Sequence, residues 1–180
     1  MSMNIQKKNL FTLLFTVCAV ISLVWTAPEI LNYVEFYKVV EKFQIVLDNI
    51  SVNTTKIYAG EVLVIVEFKV TNPTEFVGLK VSSITCQLRY INDGSPQFLA
   101  GITETFSPHT QVEPLQSIRM AVDFELKYRG YESQIRDFIG YLQTGPERMD
   151  WIVTGQFILQ AYSSVLPIHI GPLQCSTYLL

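Results

Sequence analysis

The segment VEFKVTNPTEFVGLKV, residues 66–81, decides the fold of this chain. Its first half alternates apolar side chains with other types in a period of two, which predicts a strand with one buried face. Asn72 and Pro73 interrupt the pattern, since proline has no N–H to donate to a neighbouring strand and an asparagine side chain can hold a turn. Because an apolar run resumes after them, the segment predicts two strands joined by a tight connection.

The same strand-like pattern recurs along most of the chain. Asn92-Asp93-Gly94-Ser95 is a hairpin signal, and residues 131–143 have helical spacing and are followed by the stop signal Gly145-Pro146. These elements predict an all-β sandwich of about seven strands with one short helix. The predicted strand cores are residues 43–47, 62–70, 84–90, 97–106, 118–126, 151–162 and 166–170.

The N-terminal region is different in character. Residues 9–27, NLFTLLFTVCAVISLVWTA, hold no charge, and Lys7 and Lys8 precede them. As a helix, 17 of these residues span about 26 Å at about 1.5 Å per residue, which suits the bilayer core. Because basic residues stay on the cytoplasmic side, we expect residues 1–8 to be cytoplasmic, residues 9–27 to cross the plasma membrane once, and the rest to be extracytoplasmic.

Two alternatives to an uncleaved anchor remain open. A cleaved signal peptide has the same order of basic and apolar residues, and a buried core helix has the same composition. Anchor and signal both place residues 28–180 outside the cytoplasm. Residues 28–42 form a juxtamembrane segment, and the sequence predicts that its apolar stripe consists of Ile30, Tyr33, Val34 and Tyr37.

Composition and motifs argue against several function classes. The net charge of −3 provides no broad basic surface, so we expect no nucleic-acid partner. The two histidines, His109 and His169, have no neighbouring ligands in the sequence, and no nucleophile elbow, phosphate-binding loop or zinc-protease motif occurs. We therefore predict no catalytic residues, no metal site and no cofactor.

Four residues are candidates for covalent modification in an oxidising compartment. Cys86 and Cys175 are candidates for a disulfide that links a C-terminal tail, residues 176–180, to the sheet; two free thiols are the alternative. Asn49 and Asn53 each begin an N-x-[ST] acceptor sequence for glycosylation.

The order of motifs resembles a known family. A Val-rich strand is followed by TNP, a Leu-Val strand and CQLRYINDG, and the last segment reads WIVTGQFILQAYSSVLPIHIGPL. This arrangement resembles the WHy domain, the water-stress and hypersensitive-response domain of folded late-embryogenesis-abundant proteins, over about residues 43–175. The chain departs from the family at Thr74, where a second Asn is usual, and in its apolar tail. The matching positions are Asn72, Pro73, Tyr90, Leu99, Gly101, Pro108, Pro114, Gly155, Pro167 and Gly171.

The resemblance implies an immunoglobulin- or fibronectin-III-like sandwich without catalytic residues. It also implies protection under water stress or a membrane-proximal interaction. Three hypotheses follow: a protective or structural module anchored in the lipid bilayer through residues 9–27, an accessory subunit that contacts other membrane-protein subunits, and a sandwich that binds lipid or a small ligand between its sheets. Small residues that suit close helix contact in the second hypothesis are Thr12, Thr16, Cys18, Ala19 and Ser22.

Overall fold

The structure, a computed structural model, describes residues 2–130 and 132–179. Helix α1 spans Ser2–Lys42 and continues through Pro28. Its 41 residues make it about 62 Å long at about 1.5 Å per residue. The predicted boundary at residue 28 is therefore not a break, because the juxtamembrane segment continues the helix that contains residues 9–27. Pro28 removes one backbone donor from the helix without ending it.

Two antiparallel sheets follow α1 and pack in a sandwich-like arrangement. One sheet has the strand order β1-β2-β5 and the other has the order β4-β3-β6-β7. Helix α2, Ser133–Gln143, confirms the predicted helix from residue 133 onward; Glu132 precedes the helix, and Tyr131 lies outside the described residues. The strands are β1 Gln44–Asn53, β2 Glu61–Thr71, β3 Lys80–Asn92, β4 Ser95–Gln111, β5 Ser117–Lys127, β6 Arg148–Ala161 and β7 Ser164–Tyr178.

The core lies between the two sheets. Alternate residues of β2 from Val62 to Val70 are buried, as their spacing predicts. Phe68 of β2 meets Phe157 of β6 from the opposite sheet, with ring centroids 5.2 Å apart in an edge-to-face arrangement. At one end of the sandwich, α2 places Phe138 against Trp151, with centroids 5.9 Å apart. These aromatic contacts fill the space between the layers with side chains.

The interruption at Asn72 is a buried, hydrogen-bonded turn. The Asn72 side chain is fully buried; its Nδ2 donates to the carbonyl oxygens of Phe76 (3.0 Å) and Val112 (3.4 Å). Its Oδ1 accepts from the backbone N–H (3.2 Å) and the hydroxyl (2.8 Å) of Thr74. The Thr74 hydroxyl also accepts the N–H of Phe76. One amide thus joins the β2–β3 and β4–β5 connections, and Thr74 is its partner within the turn.

The predicted β3–β4 hairpin is confirmed. Asn92 pairs with Ser95, and the two central residues, Asp93 and Gly94, have φ of 49° and 74°. Left-handed backbone at both central positions is what a tight two-residue hairpin requires. β4 continues to Gln111, beyond the predicted strand core of residues 97–106, so His109 is part of the strand.

β1 changes its inward face along its length. Ile45 and Leu47 are half-buried, and a register shift against β2 lies between Leu47 and Asn49. After this bulge the fully buried residue is Ile50, at a position that strict alternation assigns to the outside.

β7 is longer than the sequence predicts. It pairs with β6 as far as Tyr178, and the Thr177 hydroxyl donates to the carbonyl oxygen of Ile50 (2.7 Å) in the other sheet. The N–H of Leu179 donates to the carbonyl oxygen of Glu147. The prediction of a separate tail is therefore wrong for residues 176–179, which belong to the sandwich, and Leu180 lies outside the described residues.

Candidate functional site: the junction of helix and sandwich

The C-terminal part of α1 is built into one end of the sandwich. Asn32, Glu35, Phe36 and Val39 are the less exposed positions there, at the i, i+3, i+4, i+7 spacing of a single helix face. Val39 is fully buried in the core, and its carbonyl oxygen accepts the N–H of Phe43 where the helix ends. The last third of α1 is thus part of the domain that follows it.

Asn32 fixes the helix to two connections at once. Its Nδ2 donates to the carbonyl oxygen of Val77 (3.2 Å) and to the hydroxyl of Tyr162 (2.8 Å). Its Oδ1 accepts the N–H of Val77 (2.8 Å). Val77 lies in the β2–β3 connection and Tyr162 in the β6–β7 turn. Because the amide pairs with both polar groups of one peptide residue, it sets the position of the helix along its axis as well as its distance from the sandwich.

An aromatic cluster surrounds these hydrogen bonds. Phe36 of α1 lies against Phe76 and Tyr162, with ring centroids 5.6 and 5.9 Å apart, and Phe76 and Tyr162 are 5.4 Å apart. Such pairs contribute about 0.5–1.5 kcal/mol each beyond the burial of their area. Together with Asn32, the cluster fixes α1 against the two connections.

Glu35, at the edge of the junction, forms an ion pair with a lysine of the same helix. The Lys38 ammonium hydrogen bonds to the Glu35 carboxylate. This contact, helped by a hydrogen bond from the Glu75 backbone, holds the pKa of the Glu35 carboxyl below its usual range.

The predicted apolar stripe lies on the outside of the helix. Ile30, Tyr33, Val34 and Tyr37 are between 49% and 61% exposed, so the stripe is not the face that packs on the sandwich. The true face includes Asn32 and a glutamate, which a search for apolar spacing passes over. The Tyr33 and Tyr37 hydroxyls are 3.0 Å apart, and this hydrogen bond raises the pKa of Tyr37. A groove of about 340 Å³ is lined by Glu29, Ile30, Tyr33, Val34 and Tyr162.

The apolar part of α1 has no cover within the described chain. From residue 11 to residue 42 the helix is long and apolar enough to cross a membrane, and none of its most apolar window is buried. Trp25, near the predicted membrane boundary, is 79% exposed. The alternative of a buried core helix is therefore wrong, while an anchor and a signal sequence both fit this observation.

The glycines of the family motif have different structural roles. A Cβ on Gly155 would lie 2.1 Å from the carbonyl oxygen of Thr85 and 3.1 Å from the Cα of Cys86. Only glycine therefore allows β6 to approach β3 at this point. A Cβ on Gly101 would make ordinary contacts, and one on Gly171 would meet nothing within 4 Å. The structure thus gives a steric reason for one of the three glycines.

The predicted disulfide is not formed. Cys86 and Cys175 are both free thiols. Cys86 pairs with Gly155 on β6, whereas Cys175 pairs with Trp151 on the same strand. Four residues along the strands correspond to about 13 Å, well beyond the Cα separation of about 4.4–6.8 Å in a disulfide. Burial raises the pKa of the Cys86 thiol to about 12.

Both glycosylation candidates lie exposed on β1. The Nδ2 of Asn49 donates to a carboxylate oxygen of Glu67 (3.2 Å). The Oδ1 of Asn53 accepts the N–H of Thr55 (3.0 Å) and also hydrogen bonds to its hydroxyl. Both side chains are accessible for modification, and glycan attachment stays a prediction.

No group of three metal-ligating side chains comes together within the residues that the structure describes. His109 on β4 and His169 on β7 are both exposed and lie on different strands. The residues of this end of the molecule that the sequence did not single out are Asn32, Phe76, Val77 and Tyr162. Asn32 could have been noticed in the sequence, because it is an amide within residues 30–34, whose other members are apolar or aromatic.

Comparison with known proteins leaves the family unassigned. No family model matches the chain, and no curated protein matches it. Solved structures with a similar arrangement include a protein from Archaeoglobus fulgidus, at 13% identity and a TM-score of 0.44, covering 77% of this chain and 96% of that one. A solution structure from Arabidopsis thaliana matches at 12% identity and a TM-score of 0.41, covering 76% and 78%. The resemblance to the WHy domain therefore stays a prediction.

Proposed function

We propose that this chain is a single-pass membrane protein whose sandwich stands outside the cytoplasm as a non-catalytic protective or structural module of the WHy type. One observation carries the proposal: the first part of α1 is apolar and uncovered, while its last part is fixed to the sandwich by Asn32 and Val39. A helix of this kind needs an apolar surrounding at one end and presents a folded domain at the other. Lys7 and Lys8 favour a cytoplasmic N-terminus. We place the protein in the plasma membrane as part of the same proposal.

The finer parts of this proposal follow from the motif resemblance. An immunoglobulin- or fibronectin-III-like strand arrangement agrees with two antiparallel sheets of three and four strands. The buried Asn72 turn and the close approach at Gly155 give structural roles to motif residues, which supports a scaffold rather than a reaction centre.

An accessory subunit of a membrane complex is the second candidate. The observation that favours it is the exposed stripe of Ile30, Tyr33, Val34 and Tyr37, which continues upward from the anchor. The hydroxyls of Thr16 and Thr26 donate to carbonyl oxygens of their own helix, so both are hydrogen-bonded within α1 and a neighbouring helix need not pair with them. A ligand between the sheets has less support, because the pair Phe68–Phe157 fills that space.

Topology tests the anchor. Alkaline extraction of native membranes should leave the chain in the pellet, and external protease on intact cells should remove the sandwich but spare a tag at residue 1. Release by alkali, or a protected sandwich, would contradict the proposal.

A helix exchange separates the two functions. Residues 9–27 are replaced by a leucine–alanine helix of equal length, which preserves insertion but removes the native helix surface. A protective module should restore drying survival to a deletion strain in either form. An accessory subunit should lose its fixed-ratio partner on purification from mild detergent.

A further inference from the structure

Exposed apolar side chains surround the base of the sandwich where α1 enters. They come from the outer side of α1, from residues 74–78, 112–116 and 162–163 in three connections, and from Val165 at the start of β7. Their exposed fractions lie between 47% and 66%. This set, called the collar, consists of Ile30, Tyr33, Val77, Leu115, Tyr162 and Val165.

The junction sets the height of the collar above the membrane. Asn32 binds Val77 and Tyr162 directly, so these two connections lie at its level. Asn32 is five residues beyond Ala27, the end of the proposed span, which corresponds to about 7.5 Å along a helix. The polar headgroup layer on each side of the hydrocarbon core is about 5–7 Å thick. The junction therefore places Val77 and Tyr162 within reach of the outer boundary of that layer, while the tilt of α1 decides how many collar side chains meet it.

Two collar residues have a backbone conformation that large side chains rarely adopt. Leu115 and Tyr162 have φ of 56° and 53°. A left-handed backbone costs about 1–2 kcal/mol for residues other than Gly, Asn and Asp. Tyr162 is explained by its hydrogen bond to Asn32, but the Leu115 side chain is 66% exposed. Leu115 thus has a strained backbone conformation while its side chain is exposed at the surface, and strained positions of this kind are a starting point for a hypothesis of function.

The charges of the three connections define the kind of surface they fit. They contain Glu75 and Glu113 and neither lysine nor arginine. A protein that binds anionic lipids by charge needs basic residues at this position. The collar instead combines aliphatic groups with tyrosine rings, which lie favourably at the level of headgroups.

We propose that the collar rests on the lipid interface of the leaflet that α1 leaves, so that the sandwich sits on the membrane rather than standing away from it. The contact is made by apolar insertion and suits zwitterionic lipid. This inference rests on the proposed anchor. It adds a second point of attachment that fixes the tilt of the domain.

Fluorescent probes on the full chain in phosphatidylcholine nanodiscs test the collar. Cys18 and Cys175 are first replaced by Ala and Ser, while Cys86 stays because it is buried. An environment-sensitive probe is then attached at Val77→Cys or, as a control at the opposite end of the sandwich, at Tyr58→Cys, where the native side chain is 94% exposed. A nitroxide on the lipid headgroup should quench the first probe and leave the second bright.

The outcomes separate the collar from the anchor. A third probe at Val17→Cys, quenched by a nitroxide on the acyl chain, reports whether α1 spans the bilayer. If that probe is quenched while the probes at Val77→Cys and Tyr58→Cys are equally bright, the anchor stands and the collar proposal falls. A blue-shifted probe at Val77→Cys that the lipid nitroxide does not quench would assign the surface to protein contact and also overturn it. If the probe at Val17→Cys lies in water, both proposals fall.

A pair of substitutions separates lipid contact from fold stability. Leu115→Asn with Val165→Thr removes collar apolar surface, and asparagine tolerates the left-handed backbone better than leucine. We expect unchanged or higher thermal stability together with a loss of quenching at Val77→Cys. Retained quenching would contradict the proposal. Adding anionic lipid should not strengthen quenching in the unsubstituted collar, and a clear increase would contradict contact by apolar insertion.

Discussion

Replacing Asn72 by alanine tests the structural role of the interrupted strand. The change removes an amide that pairs with four backbone or side-chain groups in the buried turn. The groups left behind include the carbonyl oxygen of Phe76 and the N–H of Thr74, both in buried residues. Alanine also leaves a small void where the amide was. The two connections that meet at this turn then lose their shared side chain.

The size of the effect follows from the number of abandoned groups. A buried donor or acceptor left without a partner costs about 1–3 kcal/mol. Phe76 and Thr74 each lose a short bond, whereas the 3.4 Å contact to Val112 is weaker. We therefore expect Asn72→Ala to lower the free energy of unfolding by about 3–5 kcal/mol, which is typical of breaking a buried hydrogen-bond network. For a domain of this size that corresponds to a fall in Tm of about 10 °C.

Thermal unfolding of the full chain in detergent, followed by near-ultraviolet circular dichroism, measures the loss. Asn72→Asp is the matched control, since it keeps the acceptor for Thr74 but turns an oxygen toward the carbonyl of Phe76. Burial and that carbonyl raise the pKa of the new carboxyl. The variant should thus be more stable near pH 4 and lose stability as the pH rises through its folded-state pKa. If Asn72→Ala lowers Tm by less than about 2 °C, the role assigned to Asn72 is refuted.

Three further predictions concern other positions. Gly155→Ala should abolish folding or lower Tm by more than Asn72→Ala does, because its Cβ would lie 2.1 Å from a carbonyl oxygen of β3. Gly171→Ala, whose Cβ would meet nothing within 4 Å, should leave Tm unchanged within error. Equal effects of the two substitutions would contradict the steric argument. Asn32→Ala should leave the melting of the sheets nearly unchanged but increase protease cutting between α1 and β1, and unchanged cutting would show that the aromatic cluster suffices. Cys86 should resist alkylation at pH 9 in the folded chain and react after denaturation, since burial raises its pKa to about 12; Cys175 serves as the accessible comparison.

The sequence predicts the strands well where alternation is strict. β2 and β5 have one apolar face throughout, and both are confirmed with the predicted side buried. The hairpin at Asn92 is local, because two residues with a left-handed backbone are enough to specify it. Elements whose boundaries depend on distant partners are less predictable. β7 extends to Tyr178 because β6 pairs with it and Thr177 bonds to the other sheet, and neither partner is visible in the local pattern.

The bulge in β1 shows the same limitation on a smaller scale. Counting by two from Phe43 assigns Ile50 to the outside, and the structure buries it. A single extra residue near Asp48 reverses the parity, and its position is fixed by the register of β2. The Cys86–Cys175 prediction fails for a related reason, since strand order and register decide which thiols meet.

The face of α1 that packs on the sandwich was harder to predict from the sequence than the strands. Hydrophobic spacing selects Ile30 and Tyr33, yet the face that meets the sandwich contains Asn32 and Glu35. An amide is favoured there because it can pair with both the N–H and the carbonyl oxygen of Val77, which no apolar side chain can do. The strongest apolar pattern in this part of α1 is thus the side that the sandwich leaves exposed. The polar residues Asn32 and Glu35 lie instead on the side of the helix that packs on the sandwich.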